Sequence, residues 1–214
     1  MDRKSIIEAI QKLKKESKKR NFKQSVDLII ALRGLDMKKP ENKIKTEISL
    51  PHRINKSAKI GIFADTLIPK VKDIDAAVLI RKDEIDNYGR NKKAAKQLAK
   101  ACKSFLAEAP LMPLIGKIFG PVLAPRNKMP KPIPPTVASI EPLIEKELSS
   151  IKIALKDSPT VQCGVGSEDT DEEQITDNIM AVISGIQEVL PKGKEQIKNI
   201  YIKLTMSKPI KIKM

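Results

Sequence analysis

Few residues in the chain have side chains that could perform nucleophilic, acid–base or metal chemistry. The sequence has two cysteines, Cys102 and Cys163, and a single histidine, His52. A zinc site built from Cys and His usually has four such ligands close together, and these three residues are too few to supply them. A nucleophile needs a base within hydrogen-bond reach, and the one histidine follows a proline at the end of a predicted strand. The composition therefore predicts two free thiols, no metal site and no catalytic residues.

Two glycine-containing segments match nucleotide-binding loops only in part. Residues 164–166 have the sequence Gly-Val-Gly and lack the third glycine of a dinucleotide-binding fingerprint. Residues 116–118 are Gly-Lys-Ile and lack the hydroxyl that holds a metal ion in a phosphate-binding loop. A nucleotide-dependent enzyme is therefore the weaker alternative, and no cofactor is expected. An absence of nucleotide binding and turnover would exclude it.

The charge of the chain indicates a polyanionic partner. Its 214 residues include 41 basic and 26 acidic side chains, which give a formal net charge of +15. Lysines near a polyphosphate displace condensed counterions, so the binding is strong at low salt and weak at high salt. An anionic membrane attracts the same surface. Charge alone therefore leaves RNA, DNA and membrane surfaces open.

Aromatic content narrows the mode of RNA binding, because the chain has no Trp, two Tyr and four Phe. A protein that stacks successive bases on exposed rings usually needs more. Recognition of a folded RNA through phosphates and sugar hydroxyls is therefore expected. A DNA-binding or membrane-surface protein is the alternative, although the sequence has no helix-turn-helix pattern and no apolar run of about 20 residues. The N-terminal segment lacks the apolar core of a signal peptide, which predicts a cytoplasmic protein.

The two terminal parts of the chain predict an α+β domain with an antiparallel sheet. An amphipathic helix over residues 2–19 either packs its Ile/Leu stripe on its own domain or binds a membrane or partner. Strands over residues 25–32 and 45–50 are expected to form an antiparallel pair. The C-terminal part predicts a helix over residues 171–190 and strands over 151–156, 160–166, 200–205 and 209–213.

The middle of the chain predicts a Rossmann-like α/β unit, because short apolar strands alternate with helices. A proline-rich basic loop is expected over residues 121–135, since each proline ring fixes its backbone angle. The predicted strands are 59–64, 76–80 and 104–109, and the predicted helices are 67–71, 91–101, 111–119 and 138–149. The fold class is therefore α/β, with a discontinuous first domain (1–56 and 157–214) around an inserted second domain (57–156). Two chain crossings between them favour a hinge that opens and closes.

Residues 112–130, MPLIGKIFGPVLAPRNKMP, resemble the signature of the stalk protein family, ribosomal protein one of the large subunit. Supporting matches are residues 21–28 (NFKQSVDL), 49–52 (SLPH) and 204–207 (LTMS). The resemblance covers essentially the whole chain in the expected order. The tail of the signature, KMPKPIPP, is more similar to archaeal or eukaryotic members than to bacterial ones, and the Lys/Ile bias suits an archaeon.

The resemblance implies that the first domain binds a folded element of large-subunit ribosomal RNA, at the base of a stalk that moves as deacylated tRNA leaves. Family members also bind a similar structure in their own messenger RNA and repress its translation. The resemblance further implies a non-enzymatic, RNA-binding protein of the cytoplasmic large ribosomal subunit, monomeric when free and without a membrane.

The RNA-binding residues expected on this basis are Phe22, Ser25, Asp27, Lys45, Gly166, Lys203, Thr205, Met206 and Ser207. The hydroxyls are placed on strands and can bond ribose hydroxyls, whereas the lysines would contact phosphates. Asp27 would accept from a 2′-hydroxyl or a base amine. Without the resemblance, Phe22 and Met206 would be assigned to the core.

Two positions depart from the family pattern. Ser207 stands where the family usually has a glycine, and its side chain is expected to loosen one RNA contact. Asn127 also stands at a usual glycine position of the signature. Because asparagine tolerates positive backbone angles better than most residues, the turn at Asn127 is expected to be kept.

Overall fold

The computed structural model describes residues 2–18, 20–35, 37, 44–55, 57–65, 67, 77–134, 139–155 and 158–212. Its helices are α1 (Arg3–Glu16), α2 (Lys82–Arg90), α3 (Lys92–Ala101), α4 (Met112–Leu123), α5 (Glu141–Ser149) and α6 (Glu172–Val189). Its strands are β1 (Ser25–Leu32), β2 (Lys45–Ser49), β3 (Lys59–Ala64), β4 (Ala77–Arg81), β5 (Cys102–Glu108), β6 (Lys131–Ile133), β7 (Ser150–Ala154), β8 (Thr160–Ser167), β9 (Ile197–Leu204) and β10 (Ile210–Ile212). The chain divides after Asn55 and after Leu148 into a discontinuous first unit and an inserted unit.

The first unit is built on a four-stranded antiparallel sheet in the order β10-β9-β1-β8. Every second residue of β1 is buried, and the same alternation runs along β9. Alternation with period two places one set of side chains in a core and leaves the other set facing away from it. Helices α1 and α6 contact these strands and each other. The predicted α+β arrangement is therefore confirmed.

The stripe of α1 belongs to the core of the first unit. Ile6, Ile10 and Leu13 are each no more than 2% exposed. Of the two alternatives for the N-terminal helix, packing on its own domain is therefore correct for this stripe. Helix α6 carries Glu172 and Glu173 in its first turn, where the positive end of the helix dipole favours them.

Strand β2 corrects one prediction. It pairs with β7 in a separate two-stranded antiparallel sheet, whereas pairing with β1 was expected. The reason is that both edges of β1 are occupied, by β8 and by β9. The same pairing places residues 150–154 in the first unit, so the second division lies earlier in the chain than the expected boundary after residue 156. The first division lies after Asn55, whereas the sequence placed this boundary after residue 56.

The inserted unit has a parallel sheet in the order β4-β3-β5-β6. Its core includes three phenylalanine rings in contact. The Phe63 and Phe119 centroids are 5.1 Å apart in an edge arrangement, and those of Phe63 and Phe105 are 5.7 Å apart. Such contacts stabilise beyond the apolar area they bury. The predicted parallel α/β unit is confirmed.

The region predicted as a proline-rich loop is partly regular. Helix α4 continues through Pro121 to Leu123, a 3-10 turn follows at Ala124–Arg126, and β6 pairs with β5. Leu123 is fully buried, and this burial favours the helix beyond the proline. Helix α2 was not predicted at all. The helix expected over 67–71 lies outside the described residues except for Leu67, which is in a turn.

Candidate nucleic-acid interface

The beginning of β1 and the end of β9 lie side by side at one end of the four-stranded sheet. The Thr205 backbone N–H donates to the Ser25 carbonyl oxygen over 3.2 Å. The Ser25 N–H donates to Thr205 Oγ1 over 3.1 Å, and the two hydroxyl oxygens are 3.0 Å apart. Both residues are exposed. Two hydroxyls are therefore held at fixed positions on an accessible surface.

Residues 205–207 form a turn, which corrects their expected placement on a strand. Strand β9 ends at Leu204, whose carbonyl oxygen accepts from the Ser207 N–H over 3.0 Å. Ser207 Oγ in turn accepts from the Leu204 N–H over 2.8 Å. The serine hydroxyl thus closes the turn. Ser207 contributes to the shape of the surface, although the sequence assigned its hydroxyl to RNA.

Gln24 fixes this turn and was missed by sequence reasoning. Its side chain is 1% exposed. Its Oε1 accepts from the Met206 N–H over 3.2 Å, and its Nε2 donates to the Lys18 carbonyl oxygen over 3.4 Å. A signal was present, because Gln24 precedes Val26 and Leu28 in the buried phase of the β1 alternation. A polar side chain in that phase requires hydrogen-bond partners.

Phe22 and Met206 are both exposed. Phe22 lies in the segment before β1 and Met206 in the turn after β9, and Gln24 joins these two segments by hydrogen bonds. Met206 is 61% exposed and Phe22 is 51% exposed, the two highest values among the large apolar side chains that the structure describes as exposed. An assignment of either residue to the core is therefore wrong. Apolar side chains exposed next to fixed polar groups are typical of an interaction surface.

Asp27 lies one step further along β1 on the same face as Ser25. It pairs with Lys203 of β9 on one side and with Gly164 of β8 on the other. Partial burial raises the pKa of the Asp27 carboxyl above its ordinary value, and this rise is opposed by the Lys203 charge and by the hydrogen bond from Ser25. The lysine therefore has an acidic neighbour that partly neutralises its charge.

We call the set Phe22, Ser25, Asp27, Lys203, Thr205, Met206 and Ser207 the strand-end surface. The other two expected site residues are not part of it. Gly166 is buried, and a Cβ atom there would lie 2.9 Å from Ile175 Cγ1, so close packing against α6 accounts for this glycine. Lys45 is exposed on β2, where it pairs with Ala154 in the separate two-stranded sheet.

Comparison with known proteins decides the family. Residues 13–208 match the model described as the ribosomal protein L1p/L10e family. The chain belongs to this family. It is similar to the large ribosomal subunit protein uL1 of Methanobrevibacter smithii, with 42% identity over 208 residues that cover 97% of this chain and 98% of the relative. It is also similar to the protein of that name from Methanocaldococcus jannaschii, with 43% identity over 213 residues that cover 100% of this chain and 97% of the relative.

A third relative, uL1 of Archaeoglobus fulgidus, is 40% identical over 214 residues that cover 99% of each chain. All three relatives are archaeal, which agrees with the archaeal membership predicted from the sequence. They are named as ribosomal proteins, and this confirms the prediction of a non-enzymatic family.

The segment that resembles the L1 signature lies in the inserted unit and is mainly a packing element. Ile115 and Phe119 of α4 are fully buried. Asn127 ends the segment's last turn with φ 53°, so the turn expected at this position is confirmed. The Lys128 ammonium then donates to the carbonyl oxygens of Ala99 and Cys102 over 2.8 and 2.7 Å.

The residues with nucleophilic or metal-binding side chains take structural roles in this L1 family member. Burial raises the pKa of the Cys163 thiol to about 12, and the negative charge of Asp27 adds to the effect. The His52 backbone N–H donates to Asn178 over 3.0 Å, and its ring lies 3.3 Å from Asp177. Among the described residues, no group of three His, Cys, Asp or Glu side chains could hold a metal ion. No helix in those ranges is long and apolar enough to cross a membrane.

Proposed function

We propose that the chain is a structural protein of the large ribosomal subunit and that its strand-end surface binds a folded element of ribosomal RNA. The observation that carries the proposal is the exposure of Phe22 and Met206 beside hydroxyls that the sheet holds in place. Such a surface offers apolar contact and directed hydrogen bonds together. The relatives' name, large ribosomal subunit protein, supports the ribosome as the place of binding.

The surface recognises RNA by a division of labour among its side chains. Ser25 and Thr205 present hydroxyls that donate to or accept from ribose 2′-hydroxyls, the group that distinguishes RNA from DNA. Asp27 accepts from a 2′-hydroxyl or a base amine. Lys203 approaches a phosphate, which positions the RNA without specifying its sequence. Phe22 and Met206 exclude water from these hydrogen bonds.

Preorganisation makes this surface specific. Gln24 holds the backbone of Met206, and Ser207 closes the turn that follows Thr205. A flexible loop would lose conformational entropy when it binds RNA. These groups are already ordered in the folded protein, so less entropy is lost on binding. The formal net charge of +15 adds an attraction that is strong at low salt and independent of sequence. Specific contacts therefore dominate the affinity at high salt.

The finer parts of the proposal rest on the family resemblance. On the cytoplasmic ribosome the chain holds the base of the mobile stalk and assists the exit of deacylated tRNA. Off the ribosome it is a monomer that binds a similar structure in its own messenger RNA and represses translation. Competition between the messenger leader and the ribosomal RNA fragment for the strand-end surface tests the second role.

The test is a titration with the stalk-base ribosomal RNA fragment and with a shuffled RNA of equal length, repeated across salt concentrations. We expect tight binding of the native fragment to persist at high salt, while binding of the shuffled RNA is lost. Equal, salt-labile binding of both RNAs would contradict the proposal.

Two methionine variants locate the surface. Met206→Asp places a negative charge against RNA and is expected to weaken specific binding more than about tenfold. Met129→Asp is the matched control, because Met129 is also exposed, at 37%, and lies in the inserted unit. Equal losses from both variants would show that the effect is general electrostatic repulsion.

A further inference from the structure

The sheet face that carries Asp27 and Lys203 continues along the strands beyond the strand-end surface. Across it, Lys211, Tyr201, Ile29 and Gln162 occupy neighbouring positions on β10, β9, β1 and β8. None of these four residues is buried, whereas Ile200 and Ile202 on either side of Tyr201 are at most 1% exposed. The face that carries this row is called the open face. It places one aromatic ring in the middle of an accessible sheet.

The open face is continuous with the strand-end surface. The row nearer the strand ends consists of Lys203, Asp27 and Gly164. Tyr201 precedes Lys203 by two residues on the same face of β9, a distance of about 7 Å at the rise of an extended strand. An RNA strand leaving the strand-end surface along β9 therefore meets Lys203 first and Tyr201 next.

The chemistry of the open face fits an unpaired nucleotide chain. Lys203 and Lys211 lie near the ring, and Lys211 forms no ion pair within the part of the chain that the structure describes. Gly164 has no side chain, so the surface of the sheet beside Asp27 is uncovered at this position. A Cβ atom there would meet only Asp27 Oδ1, at 3.8 Å. Close packing therefore does not require this glycine, and a flat ligand has room there.

We propose that unpaired nucleotides adjoining the folded RNA element lie along the open face, with one base stacked on Tyr201 and phosphates near Lys203 and Lys211. This inference rests on the proposed function, which supplies the RNA at the strand ends. A base can stack on any aromatic face with little sequence preference, and four-stranded sheets with strand aromatics bind RNA in this manner. A single ring is consistent with the low aromatic content, because one base is stacked and not a succession.

The tyrosines of the chain provide a direct reporter. The sequence has no Trp and two Tyr, Tyr88 and Tyr201. Tyr88 packs in the inserted unit with its ring centroid 5.5 Å from that of Phe119. In a Tyr88→Phe background, Tyr201 is the only tyrosine, so a base stacked on it quenches the tyrosine emission.

The experiment compares the stalk-base fragment with blunt ends and the same fragment carrying a short oligoadenylate tail at either end. We expect one tail to increase affinity about five- to tenfold and to quench the emission of the Tyr88→Phe protein. Tyr201→Phe retains the gain, because the ring remains. Tyr201→Val loses the gain and leaves binding of the blunt fragment unchanged, with its fold checked by urea unfolding.

The outcomes separate the two proposals. A tail that adds no affinity and no quenching, while the blunt fragment still binds in a Met206-dependent way, would overturn the inference and leave the open face to a protein partner. If the blunt fragment does not bind at all, the proposed function fails. Quenching by free oligoadenylate would then support the open face alone, and its absence would overturn both.

Discussion

The strand-end surface and residues 112–130, here called the signature segment, have opposite physical characters. The signature segment is apolar and largely helical, and Ile115, Phe119 and Leu123 are fully buried. The strand-end surface exposes Phe22 and Met206 and holds its hydroxyls by hydrogen bonds to neighbouring strands. The segment by which the family is most easily recognised is therefore a packing element, and the surface proposed to bind RNA is made of residues common in any protein.

This contrast follows from how each region is assembled. A packed helix constrains many consecutive residues at once, so its pattern is long and contiguous. The strand-end surface is assembled from residues 22–27 and 203–207, which antiparallel pairing of β1 with β9 brings together. Each segment contributes only a few side chains. A contiguous pattern cannot reveal such a site, whereas the topology can.

The largest effect is expected from a substitution that disrupts the packing of the signature segment and leaves the strand-end surface intact. Phe119→Ala removes a fully buried ring that contacts Phe63 and Tyr88, so it should destabilise the inserted unit by about 3–5 kcal/mol. Urea unfolding followed by Tyr88 emission in a Tyr201→Phe background measures this loss. Affinity for the RNA fragment, measured without urea, should change little.

The same substitution in a Tyr88→Phe background follows the first unit through Tyr201. We expect its transition to stay near that of the parent protein. A Tyr201 transition that moves as far as the Tyr88 transition would show that the two units unfold as one, and the proposed separation of packing from recognition would be contradicted.

A smaller effect is expected where recognition depends on a buried support. Gln24→Ala removes the hydrogen bonds to Met206 and Lys18 and leaves their backbone groups without this partner, at a cost of about 1–3 kcal/mol. RNA affinity should fall as well, because the turn is no longer held. Gln97→Ala on the exposed face of α3 is the control and should change neither quantity. A Gln24→Ala protein with full affinity would exclude the supporting role.

The turn that ends the signature segment should affect stability alone. Asn127 has φ 53°, a left-handed conformation that costs a residue with a Cβ atom about 1–2 kcal/mol. Both variants lose the Asn127 side chain, but only glycine adopts the left-handed conformation without strain, so Asn127→Ala should be about 1 kcal/mol less stable than Asn127→Gly. Thermal unfolding measures both. A change in RNA affinity for either variant would place the signature segment in the binding site and remove the contrast.

The sequence predicts individual strands and helices of this fold better than it predicts which strands pair and which side chains pack together. Alternation indicated β1 and β8, and the apolar face indicated α6, because those signals lie within one element. The predicted pairing of β2 with β1 was wrong, because pairing depends on which strand edges are free. The packing of Gly166 under Ile175 is likewise a contact that only the folded chain shows.

The candidate site shows the same limit. Whether Phe22 and Met206 are exposed depends on the loop and turn that carry them, and Gln24 became visible as a support only through its contact with Met206. The helix end at Asn127 could be anticipated, because a backbone preference belongs to a single residue.

The smallest effect concerns a charge that the strand-end surface carries. The pKa of Asp27 is raised above its ordinary value of 3.8, first by burial, so the native protein keeps this proton to a higher pH than the unfolded chain does. The native state then binds more protons, and stability falls as pH rises from about 3.8 through the folded pKa.

The substitution Asp27→Asn removes this loss of stability. At neutral pH it should gain less than about 1 kcal/mol over the parent, because solvent screens a half-exposed group. Urea unfolding of both proteins from below pH 3.8 to neutral pH isolates the difference. If the variant instead loses stability relative to the parent as pH rises, attraction to Lys203 outweighs burial, and the strand-end surface is stabilised by the ion pair it presents to RNA.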